Sequence, residues 1–141
     1  MASANPYLAL LEAARRGEKD IAPITRLFGM RLLDFGEGTA TLAMAAGPEH
    51  HNPLGIVHGG VFADLADAAF GCALATVLEP GATFGTVTLQ LSYFRPVAEG
   101  EMTARARVVR RGRRIVHLEC DVESGGELAA RATSSYLVSS A

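Results

Sequence analysis

The sequence predicts an α+β domain in which an antiparallel sheet of about six strands wraps around one long central helix. Three observations carry this. Residues 61–78 hold no proline and one glycine, and their large apolar residues, Val61, Phe62, Leu65, Phe70, Leu74, Val77 and Leu78, fall all around the circumference instead of on one stripe. Two strand-like segments precede that helix and four follow it, most of them joined by short turn signals. The middle pair of the last four alternates cleanly, so each has one wet face, as in an antiparallel sheet covered on one side.

Taken in order, YLALLEAARRG reads as a short amphipathic helix stopped by Gly17, and DIAPITRLFG as an irregular or helical approach. Neither carries a chemical signal. MRLLDFGEGTATLAMAA reads as a hairpin, with one strand through Asp34, a turn at Gly36 to Gly38 and a second strand from Thr39 to about Ala45. The loop GPEHHNPLGIVHGG leads into the helix. After it come TFGTVTLQLSYFR, EMTARARVVRR, RRIVHLECDVES and ELAARATSSYLVSS, the strand candidates. Met102, Ala104, Ala106 and Val108 oppose Thr103, Arg105 and Arg107, while Val116, Leu118, Cys120 and Val122 oppose His117, Glu119 and Asp121. At 141 residues, the chain is long enough for one core and short for two, so 1–141 is read as a single domain with 1–25 as an N-terminal helical extension. One sheet cannot enclose a helix completely, and the open side is expected to meet a second subunit.

Composition narrows the function classes. A net charge of −2 argues against general nucleic-acid or membrane-surface binding. Twelve of the thirteen basic residues are arginine, and five lie in RVVRRGRR, from Arg107 to Arg114, which needs its own account. Cys72 and Cys120 sit in apolar segments and read as reduced, buried thiols. The apolar run from Tyr7 to Ala14 is followed, not preceded, by basic residues, the reverse of a secretory signal, so a cytoplasmic location without membrane insertion is expected.

Asp64 and Asp67 are the only charges in the apolar helix, about 60° apart on its circumference. An unpaired buried carboxylate is expensive, so they either reach water through a gap or do chemistry. Just before them, His58, Gly59 and Gly60 sit where the helix begins, and glycines there let a ligand approach free N–H groups at the positive end of the helix dipole. The same pair also occurs in plain loops.

The run N-P-L-G-I-V-H-G-G, followed by L-A-D with Asp67 nine residues after His58, resembles the signature of hotdog-fold acyl-CoA thioesterases of the phenylacetate-pathway (PaaI-like) group. The resemblance runs from about Phe28 to the last strand. It implies that Asp67 is nucleophile or general base, that the Gly59 N–H polarises the thioester carbonyl, with Gly60 beside it, and that Asn52 places the attacking water or the carbonyl. His58 is implied as an orienting residue, and a hydroxyl on the strand after the helix falls at Thr86, with Gly85 one residue off in the alignment. No metal or organic cofactor is implied, coenzyme A being part of the substrate. His50, His51 and His58 lack the spaced partners of a metal site, and His117 reads as surface.

The arginine run is either a charged hairpin edge that discourages strand pairing or, through Arg110, Arg111, Arg113 and Arg114, a set of guanidinium forks for coenzyme A phosphates. Phe62, Phe70, Leu74 and Phe94 line an acyl-tail pocket or belong to the core. Gly59 and Asp67 are eight residues apart, about 12 Å along one helix, too far for a shared carbonyl, because attack needs about 3 to 3.5 Å. Antiparallel packing of two such helices would bring Asp67 of one chain to Gly59 of the other, so a homodimer with shared sites is expected, assembled further as a dimer of dimers. Two rivals stand beside thioester hydrolysis: an acyl-thioester dehydratase of the same fold using His58 as base, and a non-catalytic acyl-CoA-binding module, which has no use for Asp67.

Overall fold

In the computed structural model, which describes residues 5–140, helix α1 (Pro6–Arg15) and the short α2 (Pro23–Leu27) precede the hairpin β1 (Arg31–Gly36) and β2 (Thr39–Ala46). The long helix α3 (Gly59–Ala75) follows, and β3 (Thr83–Tyr93), β4 (Gly100–Arg111), β5 (Ile115–Ser124) and β6 (Glu127–Ser139) complete the chain. All six strands form one antiparallel sheet in the order β1-β2-β4-β5-β6-β3. This is the predicted α+β hotdog architecture. The strand β3, though first in sequence after the helix, lies at the far edge, beside β6 and not β4.

Local chemistry explains the boundaries. The Asn5 side chain accepts from the Tyr7 N–H at 3.0 Å, and Pro6 opens α1 where its missing N–H is no loss. The β5–β6 turn is the pair Gly125-Gly126, both at positive φ (60° and 77°), as a two-residue hairpin turn demands. The helix α3 starts at Gly59, two residues before the expected Val61, and stops at Ala75, three before the expected Leu78. Apolar character continues past its end, but the Thr76 hydroxyl bonds back to the Ala73 carbonyl at 2.7 Å and accepts the Gly38 N–H at 2.7 Å, tying the helix end to the β1–β2 turn.

One face of α3 packs on β2, β4 and β5. Val61, Phe62, Leu65, Ala66, Ala69, Phe70, Ala73 and Leu74 are buried there with Leu42, Met44, Met102, Leu118 and Val122. Phe62, Phe70 and Leu74 thus belong to the core, whereas Phe94 is 54% exposed. The opposite face is not sealed by the sheet: Asp64 is exposed and Asp67, Ala68 and Gly71 are half-buried. Cys72 and Cys120 are unpaired, buried thiols, and burial pushes both up to about 12. Among the described residues no helix is long and apolar enough to cross a membrane.

The helix–sheet contact should dominate stability. Leu65 is fully buried, and Leu65→Ala is expected to lower the unfolding free energy by about 2–5 kcal/mol, read from the midpoint of a urea titration at unchanged slope.

Candidate functional site

Asp67 is held from the far edge of the sheet. Thr86 on β3 and Tyr136 on β6 are cross-strand partners, so their side chains stand side by side on one face. Both hydroxyls donate to the same carboxylate oxygen, Oδ1 of Asp67, Thr86 from 3.0 Å and Tyr136 from 2.5 Å. The Tyr136 hydroxyl also lies 3.2 Å from the Asp67 carbonyl oxygen. The strand is bulged here: pairing steps from Thr86↔Tyr136 to Thr88↔Ser135, leaving Val87 unpaired and 58% exposed. A bulge changes which side chains face the helix, and this one follows Thr86 directly. Thr86 is the residue whose hydroxyl reaches Asp67; Gly85 has none, and open space lies where its Cβ would sit.

Tyr136 was not among the residues singled out from sequence. It is 2% exposed, with its ring against Phe70 and Phe84. Burial, and then the hydrogen bond to Asp67, holds its phenol above the ordinary tyrosine range, so it remains a donor. The available signal was a lone hydroxyl-bearing aromatic at an inward position of ATSSYLV, two residues beyond Ser134. Among the described residues, Oδ2 of Asp67 has no hydrogen-bond donor. Asp64, one turn away and outward, has its pKa raised by partial desolvation and next by the Asp67 charge.

The other sequence-predicted residues gather at the start of α3. Asn52 accepts from the N–H groups of its own loop, Leu54 at 2.9 Å and Ile56 at 3.5 Å, so its oxygen is committed and its amide NH2 is the group on offer. Asn52 and Gly59 line one cleft of about 360 Å³ with Ile56, Phe62, Tyr93 and Phe94. His58 is the N-cap residue of α3 but makes no side-chain cap bond; its N–H donates to the His50 carbonyl at 2.8 Å. The first N–H groups of any helix lack intrahelical acceptors, which leaves those of Gly59 and Gly60 available.

Close approach, not backbone conformation, explains both glycines. A Cβ on Gly59 would stand 3.1 Å from the Tyr93 hydroxyl, which donates to the Gly59 carbonyl at 2.6 Å. A Cβ on Gly60 would stand 3.2 Å from the His58 ring. The remaining histidines hold the loop: His50 stacks on Phe28 and accepts the Gly47 N–H, and the His51 ring bonds the Ala98 carbonyl at 2.6 Å. Among the described residues no group of three His, Cys, Asp or Glu side chains is placed to hold a metal ion.

Three placements are separate from these. Asp67 does not line the cleft that holds Asn52 and Gly59, as an axial separation of about 12 Å requires. The arginines occupy the β4–β5 hairpin at the other end of α3, where Arg111 faces Glu79 at 3.7 Å, and Arg110, Arg113 and Arg114 are exposed. His117 is exposed on β5 and bonded to the Ser135 hydroxyl at 3.0 Å.

Comparison with known proteins gives four concordant findings. Residues 54–130 match the family model described as thioesterase superfamily. A phenylacetic acid degradation-related protein of Ralstonia eutropha superposes with a TM-score of 0.82 at 28% identity, over 90% of this chain and 98% of that one. The phenylacetic acid degradation protein PaaI of Thermus thermophilus, solved as a variant, gives 0.77 at 31% identity over 82% and 98%. A thioesterase of Haemophilus influenzae gives 0.78 at 27% identity over 82% of each chain.

The Tyr136–Asp67 bond should be measurable without any substrate. Tyr136→Phe is expected to lower stability by about 1–2 kcal/mol, and a double-mutant cycle with Asp67→Ala should show a coupling of at least about 0.5 kcal/mol by urea unfolding. Additive effects would mean that the bond contributes nothing in solution.

Proposed function

Starting from a chain that belongs to the thioesterase superfamily, we propose that it hydrolyses acyl-CoA thioesters to a free acid and coenzyme A, with Asp67 as nucleophile or general base. The observation that carries this reading is the carboxylate of Asp67, fixed through Oδ1 by two hydroxyls while Oδ2 is left to act. Such fixation suits a group that must meet a carbonyl carbon or a water in one orientation. Thr86 and Tyr136 are the positioning residues.

The carbonyl oxygen belongs at the start of α3. As the nucleophile adds, negative charge develops on that oxygen, where the Gly59 N–H, with Gly60 next to it and the positive end of the helix dipole behind, stabilises it. The Asn52 amide, its oxygen already committed, donates to the carbonyl or the attacking water. The tetrahedral intermediate expels coenzyme A as a thiolate, a leaving group good enough that no metal or strong acid is needed, and the water supplies the hydroxyl of the free acid and the proton taken up by the thiolate. His58 orients the loop. The dehydratase alternative gains no support from a ring that lies over Gly60 at the helix cap.

One protomer separates the two halves of this site, so the active unit is a dimer in which Asp67 of one chain faces Gly59 of its partner. The half-open face of α3 around Asp64 and Asp67, next to the edge strand β3 with Val87 and Tyr93 exposed, is the surface on which a second copy would sit. Assembly of two such dimers into a tetramer belongs to the same reading. The hairpin arginines Arg110, Arg111, Arg113 and Arg114 are the candidate partners of the coenzyme A phosphates.

Thiol release from a panel of short, medium, long and aryl acyl-CoAs tests the activity. Asp67→Asn is expected to lower kcat by about 100- to 10,000-fold with little change in KM, while Asp64→Asn changes it by no more than about threefold. An Asp67→Asn enzyme with full kcat would remove the carboxylate from the chemistry.

Joint refolding of Asn52→Ala and Asp67→Ala chains tests the shared site. Half the dimers are mixed and each holds one intact site, so activity should return to about a quarter of wild type. Mixed dimers that form and stay inactive would place both residues in a single-chain site.

A further inference from the structure

The N-terminal extension carries no chemical signal in its sequence, yet it walls an apolar cavity. Tyr7, Leu10 and Leu11 of α1 and Ile24 and Thr25 of α2 face Ala68, Gly71, Cys72 and Ala75 of α3, with Phe84 of β3 closing one side, around a space of about 280 Å³. The space has a structural cause. Helix α1 is held at its start by Asn5 donating to the Ala75 carbonyl at 2.8 Å and by the Tyr7 hydroxyl donating to the Ala82 carbonyl at 2.9 Å. Behind those ties, α3 presents only the small residues Ala68, Gly71, Cys72 and Ala75, which leave the gap unfilled. Protein interiors are otherwise close-packed.

The position of the cavity identifies its occupant. Asp67, Gly71 and Ala75 follow one another at four-residue spacing on one face of α3, so the cavity begins one turn from the Asp67 carboxylate and runs away from the Gly59 end. Phe84 and Thr86 lie two apart on β3 and face the same side, which places the cavity wall next to the hydroxyl that holds Asp67. No charged side chain lines the space, and the one hydroxyl of α2 there, on Thr25, is satisfied by bonds with the Ala22 backbone. A site with no polar group left to satisfy suits a hydrocarbon.

We propose that this cavity between α1, α2 and α3 receives the apolar tail of the acyl group whose carbonyl meets Asp67, so that the N-terminal extension sets acyl-chain length. The proposal rests on the hydrolytic reading above for the identity of the tail. At about 30 Å³ for each water-sized group, the space of about 280 Å³ holds a tail of about eight or nine carbons. Longer chains would run past the walls into solvent and gain no further apolar contact. The family match covers residues 54–130, so the outer wall of the cavity is built from chain that lies beyond it.

The test uses straight-chain acyl-CoAs from acetyl to dodecanoyl on the full chain and on two wall variants, Leu10→Trp and Ile24→Trp. Ile24 is 47% exposed, which makes its variant the one least dependent on a tolerant fold. In the wild type, KM should fall by up to about fourfold per added methylene, the ratio that about 0.8 kcal/mol represents, and stop falling near eight carbons. Each tryptophan should stop the series several carbons earlier than in the wild type. Calorimetric titration with octanoate probes the cavity without hydrolysis. Hydrolysis with the same chain-length profile in all three proteins, or octanoate binding unaffected by either tryptophan, would overturn the cavity and leave the hydrolytic reading intact. Octanoate binding that both tryptophans abolish, in a protein that hydrolyses none of the thioesters, would keep the cavity as an apolar-tail site and remove the hydrolytic reading.

Discussion

A carboxylate placed in an apolar helix must find hydrogen-bond donors or remain in water, and the arrangement around Asp67 follows from that requirement. The helix itself offers no donor, because its own N–H groups are engaged in the ladder. Donors therefore come from the sheet, and only strands at the right edge can supply them. Pairing of β3 with β6 brings Thr86 and Tyr136 together, and their hydroxyls meet one oxygen of Asp67. Had β3 followed α3 into the middle of the sheet, those hydroxyls would face elsewhere.

The two ends of α3 have different tasks and correspondingly different packing. Its start is crowded from outside: a Cβ would stand 3.1 Å from the Tyr93 hydroxyl at Gly59 and 3.2 Å from the His58 ring at Gly60, and the first N–H groups there have no intrahelical acceptor. Its later turns are crowded only from the sheet side. On the other side, the outward residues after Asp67 are small, and α1, held at its start by polar ties at Asn5 and Tyr7, covers them without filling the space. Small residues thus serve two purposes on one helix, close backbone approach at the start and an unfilled space further along.

Asp64 and Asp67 show how similar residues part company in a fold. They are three residues apart on the same helix, yet Asp67 turns toward β3 and β6 while Asp64 remains at the surface, its pKa raised by partial desolvation and then by its neighbour. The hydroxyls of Thr86 and Tyr136 single out one of the two. Proximity in sequence is shared; the donors are not.

The sequence by itself determined the element order, the buried helix, the hairpins and the unusual status of Asp67, because these depend on periodicity, turn residues and the expense of burying charge, all of which are local. Resemblance to thioesterases added Asn52, Gly59 and a hydroxyl near Thr86, since a short motif preserves spacing. Tyr136 was not legible: its partner is 69 residues away, and no local pattern records which strand lies beside β3. The contact of Thr86 with Asp67 and the β3 bulge beside it arise from pairing with β6 and cannot be seen in either strand alone. The N-terminal helices looked inert for the same reason, because a cavity is a property of two surfaces that fail to touch. Tertiary structure alone decided those features, since each is a contact, or a missing contact, between segments that the chain brings together only on folding.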